Sequence, residues 1–237
     1  MTTDLNVTTH SFTECQAQAA ALAERVAERL RTGLAARGSA VLAVSGGSTP
    51  KAFFASLSRE KLDWANVQVT LVDERWVPED DPRSNARLVQ TMLLRHAAHA
   101  AQFIPLYTGD ATPEAGLATA SARIGALPLP FDAVVLGMGD DGHTASFFPG
   151  GDHLAEALDL DGQTRVLPMR APGADEARIT LSLSTLLQTR ALYLLVSGEK
   201  KRGLLADARL GLGAAQHYPV RAVLTQSRVP VAVYWCP

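Results

Sequence analysis

The sequence predicts an α/β fold with a mostly parallel sheet covered by helices on both faces. Three observations predict it. Apolar runs without period-two alternation, the pattern of strands buried on both sides, recur along the chain. Segments with helical apolar spacing separate them. The 237 residues, 47% of them hydrophobic, suffice for one substantial core, and no low-complexity linker or internal repeat divides them. Residues 1–237 are therefore expected to form a single domain.

The elements follow in order. Ser11 and Glu14 make an S-x-x-E capping box, which predicts a helix carrying Leu22, Val26, Leu30 and Leu34 on one stripe and stopping near Gly38. "AVLAVSGG" reads as a buried strand, and "STPKAFFASL" as a helix with Pro50 in its first turn. "VQVTLVDERW" reads as one strand, and "SNARLVQTMLLRHA" as a helix with Val89, Met92 and Leu93 on one face. "AQFIPLY" is a strand, "PEAGLATASARIGAL" a helix, and "FDAVVLGMG" a strand. "RITLSLSTLLQTRALYLLVSG" holds a strand, a turn or short helix, and a second buried strand. "EKKRGLLADARL" is a helix and "VPVAVYW" a closing strand.

Charge and cysteine content narrow the function classes. With 22 basic and 24 acidic side chains and a net charge of -2, nothing favours nucleic acid or a membrane surface as partner. No apolar run approaches the ~18 residues that span a bilayer. Residues 1–10 have neither the basic start nor the apolar centre of a signal peptide. Cys15 and Cys236 do not make a secreted disulfide framework, and nothing in the sequence supports a bond between them. A soluble, cytoplasmic protein in a reducing compartment is expected. No exposed apolar stripe indicates an oligomer.

In a parallel sheet, ligands collect at the carboxyl ends of strands, and three such ends carry unusual chemistry. The first is "SGGSTP". Gly46 and Gly47 allow close backbone approach, Ser45, Ser48 and Thr49 supply hydroxyls, and a helix begins at once, so its free N–H groups favour a phosphate. A plain strand-to-helix turn capped by Thr49 is the competing reading. The second is "VDERWVP", where continued strand geometry puts Asp73 and Arg75 on one face and Glu74 on the other. A surface ion pair capping the sheet explains it equally well.

The third is "LGMGDDGHTASFFPG", residues 136–150. Gly137, Gly139 and Gly142 match a dinucleotide fingerprint, with Asp159 and Asp161 near the place of the ribose ligand. Two features oppose that reading. Asp140 and Asp141 would repel a pyrophosphate, and Pro149-Gly150-Gly151 leaves no room for a long crossover helix. Asp141, His143 and His153 form no recognised metal-ligand spacing, so no metal is expected. An acid–base pair fits better: His143 takes a proton from water, and Asp141 fixes its tautomer. No G-x-S-x-G is present, and direct attack by water is preferred to a covalent route.

These runs, with "SNARL", "RITLSLSTL" and "SGEKK", occur in an order and spacing that resemble the 6-phosphogluconolactonase family over roughly residues 12–236. The resemblance implies a Rossmann-like α/β sheet, shared with glucosamine-6-phosphate deaminases and ribose-5-phosphate isomerases, and no cofactor. It implies hydrolysis of a small phosphorylated sugar lactone, 6-phospho-D-glucono-1,5-lactone, in the pentose phosphate pathway. His143 matches the family's proposed general base and Asp141 the carboxylate that orients it. Ser45 to Thr49 match the phosphate loop, Arg75 an arginine facing the substrate, and Asp73 the acid of the second strand end. Lys200 matches a phosphate-binding lysine, with Lys201 its rival. Arg170 is a further candidate for the same pocket, and Arg178 matches a family position that serves equally as a structural arginine. The deaminases are the nearest alternative. They place a glutamate where this chain has Phe148, and read D-E-[YF] where it has Asp73-Glu74-Arg75-Trp76. A non-catalytic sugar-phosphate sensor on the same fold is the alternative from another class.

Overall fold

The computed structural model describes residues 6–237. In chain order the elements are β1 (Val7–Ser11), α1 (Cys15–Arg37), β2 (Ala40–Val44), α2 (Pro50–Leu57), β3 (Val67–Leu71), β4 (Asp73–Arg75), α3 (Asn85–Met92), β5 (Gln102–Ile104), α4 (Pro113–Gly125), β6 (Ala133–Leu136), α5 (Leu154–Leu158), β7 (Val166–Met169), β8 (Arg178–Leu181), α6 (Leu183–Leu186), β9 (Leu192–Ser197), α7 (Glu199–Leu210), α8 (Val220–Thr225) and β10 (Val231–Cys236).

Seven strands form a sheet in the order β1-β10-β9-β6-β2-β3-β5, with every pairing parallel. All five residues of β2 and all four of β6 are buried, which accounts for their unalternating apolar sequence. α1 packs on α2, and α7 on α8, as covering helices. Leu22, Val26 and Leu30 of the expected stripe on α1 are fully buried. The carboxyl ends of β2 and β6, which neighbour each other in the sheet, bring the first and third motif loops together.

Several expectations are corrected. "VQVTLVDERW" is two strands in two sheets, because β4 leaves the parallel sheet and joins an antiparallel one of order β4-β8-β7. Val72 is the switch point: its N–H donates to Val44 O at 3.0 Å in the large sheet, and its carbonyl accepts from Leu181 N at 2.9 Å in the small one. The capping box does not form. Ser11 ends β1, and Glu14 stands at the N-cap of α1 without a side-chain cap. β1, β7, α5 and α8 lack a sequence expectation; β1 is a polar edge strand, four of its five residues exposed.

Cys15 and Cys236 are joined in a disulfide, across a sequence separation of 221 residues. Parallel pairing of β1 with β10 sets the start of α1 beside the end of β10, and the two Cα atoms lie 5.2 Å apart, within bridging distance. The two cysteines therefore give no support to the expectation of a reducing compartment. Among the described residues no helix is long and apolar enough to cross a membrane.

Candidate active site

β2 ends at Val44, and Ser45 extends its register by donating N–H to Val135 O at 2.9 Å. The next four residues turn into α2. The N–H groups of Gly46, Gly47, Ser48 and Thr49 find no acceptor among the described residues. Thr49 is the N-cap of α2 but its hydroxyl caps nothing. Ser45 through Thr49 line a cavity of about 190 Å³ together with Asp73, Arg75, Asn85, Gly137, Met138, Gly139, His143 and Lys201. Four unpaired backbone donors at one wall are the arrangement that an anion would need there.

The loop after β6 forms a second wall. It closes on itself through Gly139 N to His143 O at 2.9 Å and Gly142 N to Gly139 O at 3.2 Å. Thr144 Oγ1 donates to Gly137 O at 2.7 Å. The imidazole then lies so close over Gly139 that a Cβ there would sit 2.2 Å from its Nδ1, so this position admits only glycine. His143 Nδ1 is 2.5 Å from Asp141 Oδ1. A carboxylate only accepts, so Nδ1 carries the proton and Nε2 keeps its lone pair while the imidazole is neutral. Burial works to raise the Asp141 carboxyl; the hydrogen bond and charge of His143 outweigh it and leave the group below its ordinary value. Phe148 packs on the far side of the imidazole with ring centroids 4.5 Å apart.

β4 supplies the third wall. Asp73 is buried in the cavity lining and accepts from Ser146 Oγ at 2.6 Å, which ties β4 to the histidine loop. Arg75 reaches the cavity while its guanidinium donates to Arg83 O. Glu74 points the other way and is fully buried, as the alternation of a continuing strand requires. It accepts N–H bonds from Arg75, Asn85 and Ala86 at 2.7–2.8 Å and the Ser84 hydroxyl at 3.1 Å. Burial pushes its carboxyl up to about 6, against the pull of those N–H groups and reinforced by the charge of Asp73.

The structure moves the lysine. Lys200 does not line the cavity; its side chain is 69% exposed and pairs with Asp140 at 3.0 Å. Lys201, 23% exposed, turns inward from the first turn of α7 and donates to Met138 O at 2.7 Å, with Asp140 Oδ1 at 3.6 Å. One helical residue is a turn of about 100°, which separates a cavity wall from solvent. Asp140, without a role in the sequence reading, thus holds both lysines against the histidine loop. Arg170 also lies outside the cavity lining, bound by both nitrogens to Glu114 at the start of α4. Arg178 faces Arg75 across the β4–β8 register and lies 5.7 Å from the Phe148 ring. Burial first, and Arg75 second, lower its pKa. His153 stands near Glu156 and does not join His143 at the cavity. Asn85 is a polar lining residue to which sequence reasoning gave no role, though it sits in the "SNARL" run directly after the Ser84 N-cap.

A family model described as "Glucosamine-6-phosphate isomerases/6-phosphogluconolactonase" matches residues 13–235. A protein of Rhizobium meliloti (strain 1021) named 6-phosphogluconolactonase is 51% identical over 96% of this chain and 98% of its own length. The crystal structure of a 6-phosphogluconolactonase from Shewanella baltica OS155 superposes with a TM-score of 0.91 at 42% identity, covering 98% of both chains. A monomeric glucosamine-6-phosphate deaminase shares the fold with a TM-score of 0.76 at 19% identity, covering 96% of both chains.

Proposed function

The chain belongs to the glucosamine-6-phosphate isomerase/6-phosphogluconolactonase family, and from that premise we propose that it hydrolyses 6-phospho-D-glucono-1,5-lactone to 6-phospho-D-gluconate. One observation carries the proposal: His143, backed by Asp141, and the loop Gly46 to Thr49 with its unpaired N–H groups line the same cavity. The phosphate occupies the loop wall, with Ser45, Ser48 and Thr49 as further donors and Lys201 as the counter-charge. This seats the lactone ring toward His143.

His143 Nε2 removes a proton from water as the water oxygen bonds to the lactone carbonyl carbon. Asp141 stabilises the imidazolium. The carbonyl oxygen becomes an oxyanion, which the Arg75 guanidinium neutralises. Collapse breaks the bond from the carbonyl carbon to the ring oxygen, and the imidazolium returns its proton to that leaving oxygen. Asp73, anchored by Ser146, accepts a hydroxyl of the sugar. Phe148 on the imidazole provides an apolar contact where the deaminases carry a carboxylate, which favours hydrolysis over aldose–ketose chemistry.

The test is a coupled assay. Glucose-6-phosphate dehydrogenase generates fresh lactone and 6-phosphogluconate dehydrogenase reports the product, with spontaneous opening subtracted. Glucosamine 6-phosphate is assayed in parallel. Hydrolysis of the lactone without deamination is expected. Deamination would transfer the site to the isomerase chemistry, and phosphate binding with neither activity would make the protein a sensor.

A further inference from the structure

Asn85 joins the anion wall to β4. Its Nδ2 donates to Asp73 O at 3.1 Å, and because a carbonyl only accepts, this contact fixes the amide with Oδ1 on the other side. That side faces Gly46. A Cβ on Gly46 would lie 1.8 Å from Asn85 Oδ1 and 2.2 Å from its carboxamide carbon. The amide is therefore packed flat against the backbone of the first loop glycine, with no room for a side chain between them. Gly46 is glycine for Asn85 as much as for any ligand.

The backbone of Asn85 is fixed as well. Its N–H donates to Glu74 Oε1 at 2.8 Å, and the following N–H, of Ala86, donates to Oε2 at 2.7 Å. Ser84, the N-cap of α3, gives its hydroxyl to the same carboxylate. Glu74 thus gathers Ser84, Asn85 and Ala86 at one point, with the side chains of Ser84 and Asn85 and the whole of Glu74 buried. Neither residue has an assigned role in the reaction proposed above.

We propose that Asn85 is the positioning residue of the phosphate loop and that Glu74 is the buried group that aims it. The amide props Gly46 away from β4, so the N–H groups of Gly46 to Thr49 stay turned into the cavity without partners of their own. Without the prop, the loop can settle toward Asp73 and its donors diverge. This rests on the reading of the loop as a phosphate site, not on the hydrolytic step.

The experiment measures binding of inorganic phosphate by calorimetry to the whole protein, alongside the thermal midpoint and the lactone kinetics. Asn85→Ala is expected to weaken phosphate at least tenfold and to raise KM by a much larger factor than it changes kcat. Glu74→Gln replaces one acceptor oxygen by an amide donor facing N–H groups, and is expected to weaken phosphate in the same sense while Asn85 is intact. Gly46→Ala should lower the thermal midpoint through the clash, and combining it with Asn85→Gly should restore the midpoint but not phosphate affinity. Folded Asn85→Ala protein with parental phosphate affinity overturns the proposal, whatever Glu74→Gln does. Parent protein that binds no phosphate overturns it together with the anion site. Parent protein that binds phosphate but leaves the lactone untouched sinks only the hydrolase reading.

Discussion

The histidine wall of the cavity is assembled within one loop, whereas the anion wall draws on β2, α2, β4, α3 and α7. His143 meets Asp141 and Gly139, and Thr144 meets Gly137, all within the eight residues 137–144. The anion wall needs Asn85, 39 positions after Gly46, and Lys201, still further along, to arrive from other elements. The difference separates chemistry from binding. Removing the His143 or Asp141 side chain leaves the contacts between elements in place, while changing the anion wall alters contacts that also hold elements together.

The sharpest contrast is expected from His143→Ala. Its loss should lower kcat by ~10²–10⁴-fold, the usual contribution of a placed general base, with phosphate binding near the parental value. Asp141→Asn should lose part of the same factor, and the double variant should lose no more than His143→Ala alone, since the pair acts as one unit. Phosphate affinity collapsing with His143→Ala would erase the division between the walls. Stopped assays on fresh lactone and calorimetry decide it.

A smaller effect is expected at the anion wall. Lys201→Ala should raise KM by roughly tenfold to a hundredfold, from the ~1.5–3 kcal/mol of a hydrogen bond involving a charged group. A drop in kcat with unchanged KM would move Lys201 to the reacting end.

Framework coupling gives the third prediction. Glu74 has its folded pKa raised to about 6 from an ordinary value of 4.5, so the fold favours its protonated form. That contribution is complete below about pH 4.5 and is lost as pH rises through 6. The difference corresponds to about 2 kcal/mol. Urea unfolding of the parent and of Glu74→Gln should show the parent losing about that much relative to the variant between pH 4.5 and 7. A constant difference across this range would mean that the four donors to Glu74 already hold it ionised.

The smallest effect belongs to Lys200→Ala. Its exposed pair with Asp140 is worth little in solvent, and KM should change less than about twofold. An effect as large as that of Lys201→Ala would return the phosphate lysine to the sequence assignment.

The same contrast governs what was legible in the sequence. The parallel sheet could be read because each buried strand carries its apolar run locally, and the histidine wall because its members are neighbours in the chain. β4 could not be separated from β3, since apolar pattern says nothing of the bifurcated pairing at Val72. Lys200 and Lys201 differ only in helical phase, which depends on where α7 starts. Arg170 was a candidate only through the resemblance, and Glu114, 56 residues away, captures it. Asn85 carried no chemical signal of its own, and the disulfide depended on a pairing between β1 and β10 that the polar sequence of β1 conceals.

The pairing of β1 with β10 also orders events during synthesis. Of the described strands β1 leaves the ribosome before the others, and β10, which follows all of them, is its partner in register from Val7–Val231 to Ser11–Trp235. At about 5–20 residues per second, the nascent first strand waits roughly 10–45 s for that partner. A chain halted before residue 231 would display the open edge of β9, a template for pairing with another chain. Completion of the sheet, and with it the cross-link to Cys236, therefore waits for β10, although the strand that it secures is made about 220 residues earlier.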